Sequence, residues 1–257
     1  MSSRLYRDTG IVLRSYRLGE ADRIVVFLTE NHGKVRAVAK GIRKTRSKFG
    51  GRLEPLSLVN VQFHRGSSLD VVSQVETVDA STAVYGDLDV MTEASAVLEA
   101  VDQLIPDREP VPQIFRMLQG VRRTLLDRPS PLVVPAFIWK LLAAEGVRPE
   151  LDRCVGCGES ESESGGFVAF DSVMGGVQCR NCRSGIAISG RAVELLRDML
   201  GGRLSAILDA AHDPSGQKLD DPTTSEVADL ATRAFEAHVE RRLRSVGIFE
   251  RHDDRSN

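Results

Sequence analysis

Four cysteines carry the sharpest chemical signal in the chain. They form two pairs, Cys154-Val155-Gly156-Cys157 and Cys179-Arg180-Asn181-Cys182, with twenty-one residues between the pairs. Two C-x2-C knuckles let four thiolates converge tetrahedrally on one ion, and Gly156 eases the backbone turn in the first. Phe167–Phe170 and Val177-Gln178 flank Gly175-Gly176, so the linker reads as a hairpin carrying one knuckle at each end. Four thiolates fill the coordination shell and leave no place for a water. The spacing therefore predicts one structural zinc, held by Cys154, Cys157, Cys179 and Cys182, rather than a catalytic one. The alternatives are a redox or zinc-sensing switch, four unrelated buried cysteines, or two disulfides, which a reducing cytosol disfavours.

A second signal is basic. Lys34, Arg36, Lys40, Arg43, Lys44, Arg46, Lys48 and Arg52 lie within nineteen residues, and no acid interrupts between Glu30 and Glu54. Such a run repels itself unless an anion answers it, so an anionic partner is expected. Gly41, Gly50 and Gly51 predict a flexible loop, and Phe49 sits among the cations. Cations for phosphates and a ring for a base are what single-strand binding uses. Phe49, like the further candidates Tyr6, Tyr16 and Phe63, is either a stacking platform or ordinary core; the competing reading of the basic run is a solvated charged face. With no recognition-helix or C2H2 spacing, contacts to phosphates and base faces are expected, with little sequence preference.

Enzyme signatures are missing. Gly33-Lys34 is followed by Val35 rather than Ser or Thr, so there is no P-loop. No H-E-x-x-H, deaminase or Gly-x-Ser-x-Gly pattern occurs, and the five histidines are scattered. The chain reads as a binding module, not an enzyme.

The elements that must position these groups change character near residue 81. Before it, Ile11-Val12-Leu13, Ile24–Leu28, Val35–Ala39, Leu56–Phe63 and Leu69–Val78 read as strands joined by short turns, and five strands in so few residues predict a small closed barrel. After it, apolar residues recur at helical spacing in Ala94–Ile105, Ile114–Leu125 and Phe137–Leu142, then in Gly190–Leu200 and Thr224–Leu243. Pro106, Pro110 and Pro112 separate the first two helices, and Pro129, Pro131 and Pro135 the next two. Glu159–Ser164 reads as a solvated loop tip, and the polar stretch 251–257 as a flexible tail. The predicted domains are thus 1–80 and a helical 81–250 with a zinc module at 152–185. Charge follows the same division: the overall −2 averages a segment 1–80 of +6 with a remainder of −8. With 42% hydrophobic and 27% charged residues over 257 positions, wholesale disorder is excluded. Arg4, Arg7 and Asp8 sit where a signal peptide needs an apolar run, and no apolar stretch approaches a bilayer span. A cytoplasmic protein is expected.

These residues resemble a known family. Gly10-Ile11-Val12-Leu13, Gly19-Glu20-Ala21-Asp22-Arg23-Ile24, Thr29 with His32-Gly33-Lys34, Ala39-Lys40-Gly41-Ile42-Arg43-Lys44 and Leu53-Glu54-Pro55-Leu56 are similar to the N-terminal half of the bacterial RecO recombination mediators. The helical second half with its cysteine pairs is similar to the zinc-bearing branch. The resemblance implies an α+β chain: a five-stranded OB-fold barrel, then an α-helical domain with an inserted four-cysteine zinc module. It implies a non-catalytic role in recombinational repair, by binding single- and double-stranded DNA, annealing complementary strands and assisting RecA loading on strands coated by single-strand-binding protein. A RecR-type partner and the acidic tail of the coating protein are the implied protein contacts. A cation beside an apolar pocket would serve that tail, and Arg122, Arg123, Lys140 and Arg148 are the candidates, exposed solubilising charge being the other reading. The alternative function is a protein-recruiting scaffold in which DNA contact is secondary.

Overall fold

The computed structural model describes residues 4–212, 221–240 and 243. The tail at 251–257 and the last residues of the helix expected over 224–243 lie outside the described residues, except Leu243. The chain divides into two compact units, Met1–Leu126 and Asp127–Asn257.

The first unit is built on β1 (Leu5–Leu18), β2 (Asp22–Thr29), β3 (Gly33–Ala39), β4 (Leu58–His64) and β5 (Asp70–Asp79), closed in the order β1-β2-β3-β5-β4. This five-stranded barrel of OB type is the one expected. β1 is long enough to pair twice. Leu5–Ile11 lies antiparallel to β4, and after a bulge between Val12 and Arg14 the strand continues along β2 to Leu18. Closure comes from a short parallel contact of β3 with β5 at Ala37↔Asp70 and Val38↔Val71. Inward residues alternate along each strand into one core containing Val12, Val25, Phe27, Val35, Val59, Val61, Phe63 and Val72.

A 3₁₀ turn at Thr82–Gly86 leads to α1 (Leu88–Leu104) and α2 (Pro112–Asp127). Asp87 caps α1 by accepting from the N–H groups of Asp89 and Val90. Pro112 opens α2, where its missing N–H has no helical partner to lose.

The second unit contains α3 (Val133–Ala144), α4 (Glu161–Ser164), a three-stranded sheet of β6 (Phe167–Asp171), β7 (Gly176–Cys179) and β8 (Ile186–Ala187), then α5 (Gly190–Leu200), α6 (Leu204–His212) and α7 (Asp221–Val239). α3 is buried nearly all round and packs on α5 and α7. Trp139 of α3 meets Phe170 of β6 edge-on, ring centroids 5.7 Å apart, so the sheet shares the helical core.

Two expectations need correcting. Pro135 does not separate helices; it sits in the first turn of α3, where a proline's missing N–H is harmless. Residues 161–164 are not loop but a single helical turn, because the Glu163 carboxylate accepts from the N–H (2.8 Å) and the hydroxyl (2.7 Å) of Ser160. α6 is a helix that the pattern did not locate: it is short, and its apolar spacing (Leu204, Ile207, Leu208) begins directly after the helix-breaking pair Gly201-Gly202.

Candidate nucleic-acid interface and metal centre

Between β3 and β4 the chain runs from Lys40 to Ser57 without strand or helix, as a succession of turns pinned to the barrel. Phe49 and Leu53, each 1% exposed, are part of the barrel core. At its start, the Gly41 N–H donates to the Asp22 carboxylate (2.7 Å) and the Arg43 N–H to Ala21 O (3.0 Å). At its end, Leu56 N donates to Val12 O (2.8 Å) and Val12 N to Ser57 O (3.0 Å). The loop is therefore anchored at both ends and at its middle. The expectation that Phe49 stacks on a base is overturned: its ring is spent on the core, with the Lys48 ammonium 5.0 Å from its centroid.

The eight cations of the run separate into two groups. Lys34 is buried; its Nζ donates to Asp102 O (2.6 Å) and pairs with the carboxylates of Asp102 (3.4 Å) and Asp107 (3.6 Å). Arg36 pairs with Asp107 at 3.0 Å. These two fasten the last turn of α1 and the segment after it to β3, and the reading of Lys34 as a nucleic-acid contact is corrected accordingly. Gly33 makes that fastening possible: its φ is +66°, and a Cβ there would lie 1.9 Å from Glu109 O. Lys40, Arg43, Lys44, Arg46, Lys48 and Arg52 are exposed, and among the described residues no carboxylate lies within ion-pair distance of any of them. Their hydrogen bonds go to backbone carbonyls: Arg43 to Glu20 O (2.8 Å), Lys48 to Ser73 O (2.8 Å), Arg52 to Lys48 O (3.0 Å). Such contacts orient a cation without neutralising it.

The other rings are placed unequally. Phe63 is in the core. Tyr6 is covered, stacked on Phe63 (5.0 Å), beside His32 (4.5 Å) and under Arg65 (5.2 Å). Tyr16 is exposed, with the Arg14 guanidinium 5.5 Å from its centroid.

Two buried carboxylates, which sequence pattern did not single out, hold this end of the barrel. Asp70 accepts from the Tyr6 hydroxyl (2.5 Å), Arg108 (2.9 Å) and the Gly66 N–H (2.9 Å). Burial works to raise its pKa, but these donors prevail and hold it below the usual carboxylate range. The Tyr6 phenol is pushed well above its ordinary value, first by burial and then by the adjacent carboxylate. Asp8 accepts from Thr9 N (2.9 Å), Asn31 N (3.1 Å), Asn31 Nδ2 (2.9 Å) and His32 Nδ1 (2.6 Å), which fixes the β2–β3 turn.

Among the partner candidates, Arg122 is corrected: it is buried and bound to Asp79 (2.9 Å) and the Ser81 hydroxyl (2.6 Å). Arg123 and Arg148 are exposed. Lys140 is half-buried, and its burial lowers its pKa.

The four cysteine sulfurs all lie within 4.8 Å of one another, none in a disulfide. The first knuckle runs beside β7, with Val155 N donating to Val177 O (2.9 Å), while Cys179 ends that strand. A Cβ on Gly156 would come within 2.8 Å of Cys182 Cβ and 2.9 Å of its Sγ, so the backbone closes around the sulfurs in a way only glycine permits. Burial opposes ionisation of Cys154, but the N–H donors of Cys179, Cys157 and Gly156 outweigh it and bring its pKa to about 6. Cys182, crowded first by Cys157 and Cys179 and then by burial, is pushed up to about 12. One ready thiolate among crowded thiols is a donor set that a divalent cation completes, since coordination removes the remaining protons. These residues fit a metal ion.

The family model described as Recombination protein O N terminal matches residues 1–81, and that described as Recombination protein O C terminal matches residues 85–246. The chain belongs to the RecO family. It is also similar to the DNA repair protein RecO of Cutibacterium acnes, 39% identical over 256 aligned residues that cover 96% of this chain and 99% of the relative. RecO-family membership places the chain among DNA repair proteins, and the resemblance drawn from the segments between Gly10 and Leu56 is borne out. Within this RecO-family chain the N-terminal match ends where the barrel strands give way to helices, and the C-terminal match contains all four cysteines. No helix among the described residues is long and apolar enough to cross a membrane.

Proposed function

We propose that this chain is a non-catalytic mediator that binds single-stranded DNA on the 40–52 loop and anneals complementary strands. The observation that carries this reading is the group of six exposed cations, Lys40 to Arg52, which have no carboxylate partner among the described residues and sit on a loop anchored through Phe49. Two complementary strands repel one another through their phosphates, and cations presented on a rigid base lower that repulsion without reading sequence. From the RecO family come the finer roles: assisting RecA loading on strands coated by single-strand-binding protein, with a RecR-type partner, in the cytoplasm at the nucleoid. Arg123, Lys140 and Arg148 are the remaining candidates for the acidic tail of the coating protein.

The metal proposed for the cysteine centre is zinc, in a structural role. A tetrahedron with zinc–sulfur bonds of about 2.3 Å has edges of about 3.8 Å, and Cys157 Sγ and Cys179 Sγ are 3.8 Å apart. When bound, zinc supplies cross-linking of the two knuckles; Cys154, Cys157, Cys179 and Cys182 would hold it.

The test of annealing uses complementary oligonucleotides carrying a fluorophore and a quencher. The variant Arg43→Ala/Lys44→Ala/Arg46→Ala/Lys48→Ala is expected to lose annealing while keeping its thermal melt. Wild-type annealing rates in that variant would remove the loop from the mechanism.

A further inference from the structure

The outer wall of the barrel beside the loop carries a groove of about 800 Å³. Its floor is a grid set by strand register. Arg7 of β1 stands opposite Gln62 of β4, which stands opposite Gln74 of β5; one step along, Thr9 stands opposite Asn60, which stands opposite Glu76. Alternation along each strand puts all six on the same outer face. Part of the grid is locked: Arg7 Nε donates to Gln62 Oε1 (2.8 Å), Thr9 Oγ1 to Asn60 Oδ1 (3.0 Å) and Gln62 Nε2 to Ser73 Oγ (3.0 Å). The rest is unclaimed: Asn60 Nδ2, the Gln74 amide and the Glu76 carboxylate have no hydrogen-bond partner among the described residues. Lys48 joins this groove to the cationic loop, since it lines the groove and donates to Ser73 O (2.8 Å).

We infer that this groove takes the base edges of a single strand whose phosphates lie on the 40–52 loop, an inference that rests on the DNA-binding reading proposed above. A phosphate is a poor occupant, because Glu76 faces it. A base edge presents donors and acceptors side by side in one plane, which is what amide, carboxylate and guanidinium groups on a stiff sheet can answer. The side chains are fixed to strands rather than loops, so little ordering is needed on binding. The groove thus adds base contacts to a surface for which the sequence pattern predicted phosphates and base faces alone.

The test is fluorescence anisotropy of the full chain on a mixed-sequence single strand and on a strand of equal length with abasic residues. Phosphates are the same in both; only bases differ. Wild type is expected to prefer the base-bearing strand about tenfold, the discrimination of a single good base pairing. Asn60→Ala/Gln74→Ala/Glu76→Ala is expected to bring that ratio to about twofold or less with the salt dependence unchanged. Asn60→Leu, close in size, is expected to narrow it in the same direction should the triple variant fail to fold. A wild-type ratio near one, or a variant that keeps the wild-type ratio, overturns the inference; the latter is also the result if the groove serves a protein partner. In both cases salt-dependent binding by the wild type leaves the DNA-binding reading standing, whereas failure to bind either strand sinks that reading instead.

Discussion

Charge neutralisation by the loop can be counted, because the structure separates free cations from committed ones. Among the described residues Lys40, Arg43, Lys44, Arg46, Lys48 and Arg52 lack carboxylate partners, while Lys34 and Arg36 are held by Asp102 and Asp107. Each phosphate paired on a single strand contributes about −0.7 to the slope of log affinity against log salt, so six free cations set a slope of about −4. Between 50 and 200 mM salt that is a loss of about 300-fold in affinity. Arg43→Ala/Lys44→Ala/Arg46→Ala removes three contacts, bringing the slope to about −2 and the loss over the same range to about 20-fold. Arg36→Ala removes one formal charge of the same run, yet its partner is Asp107, so the slope is expected to stay near that of wild type. The measurement is anisotropy of a labelled single strand titrated at four or more salt concentrations. The reasoning is refuted if Arg36→Ala flattens the slope as much as Arg43→Ala does, or if the triple variant leaves the slope unchanged.

Three further outcomes follow from the same coordinates. Gly33→Ala forces a left-handed residue with a side chain against Glu109 O, and is expected to cost about 2–4 kcal/mol in denaturant melts, loosening the Lys34 pairing with it. Glu93, 8% exposed with one oxygen unpartnered, has its pKa raised from 4.5 to about 8, by burial first and by Asp89 and Asp87 after it. The folded state therefore holds a proton that the unfolded chain releases, and stability falls as pH rises from 4.5 to 8. Glu93→Gln is expected to melt higher than wild type at pH 8, by about 1–3 kcal/mol, and level with it at pH 4; equal melts at pH 8 would refute this. Cys154→Ser is expected to lower metal content from about one equivalent per chain, read by mass spectrometry under native conditions, and to expose residues 154–182 to proteolysis; full protection without metal would contradict the structural role.

The parts legible in the sequence were those with a local cause. Short apolar or alternating runs located all five barrel strands, and the cysteine spacing located a cluster whose sulfurs do converge. What stayed hidden depends on partners far along the chain. Nothing local to Lys34 says that Asp102 and Asp107 will reach it, and nothing local to Arg122 says that Asp79 will. Phe49 misled for a related reason: an aromatic residue among cations has the composition of a stacking site, but a loop of turns needs an apolar anchor, and the barrel interior claims the ring. The correction sharpens the functional reading rather than weakening it. A loop held only at its ends would spread its cations over many conformations, and ordering them on DNA would cost entropy. With Phe49 and Leu53 fixed in the core, Lys48 and Arg52 are held within a residue or so of an anchor, and the amide-bearing wall of β4 and β5 lies beside them. In the DNA-binding reading proposed above, the same buried ring fixes where phosphates and bases of one strand would be met together.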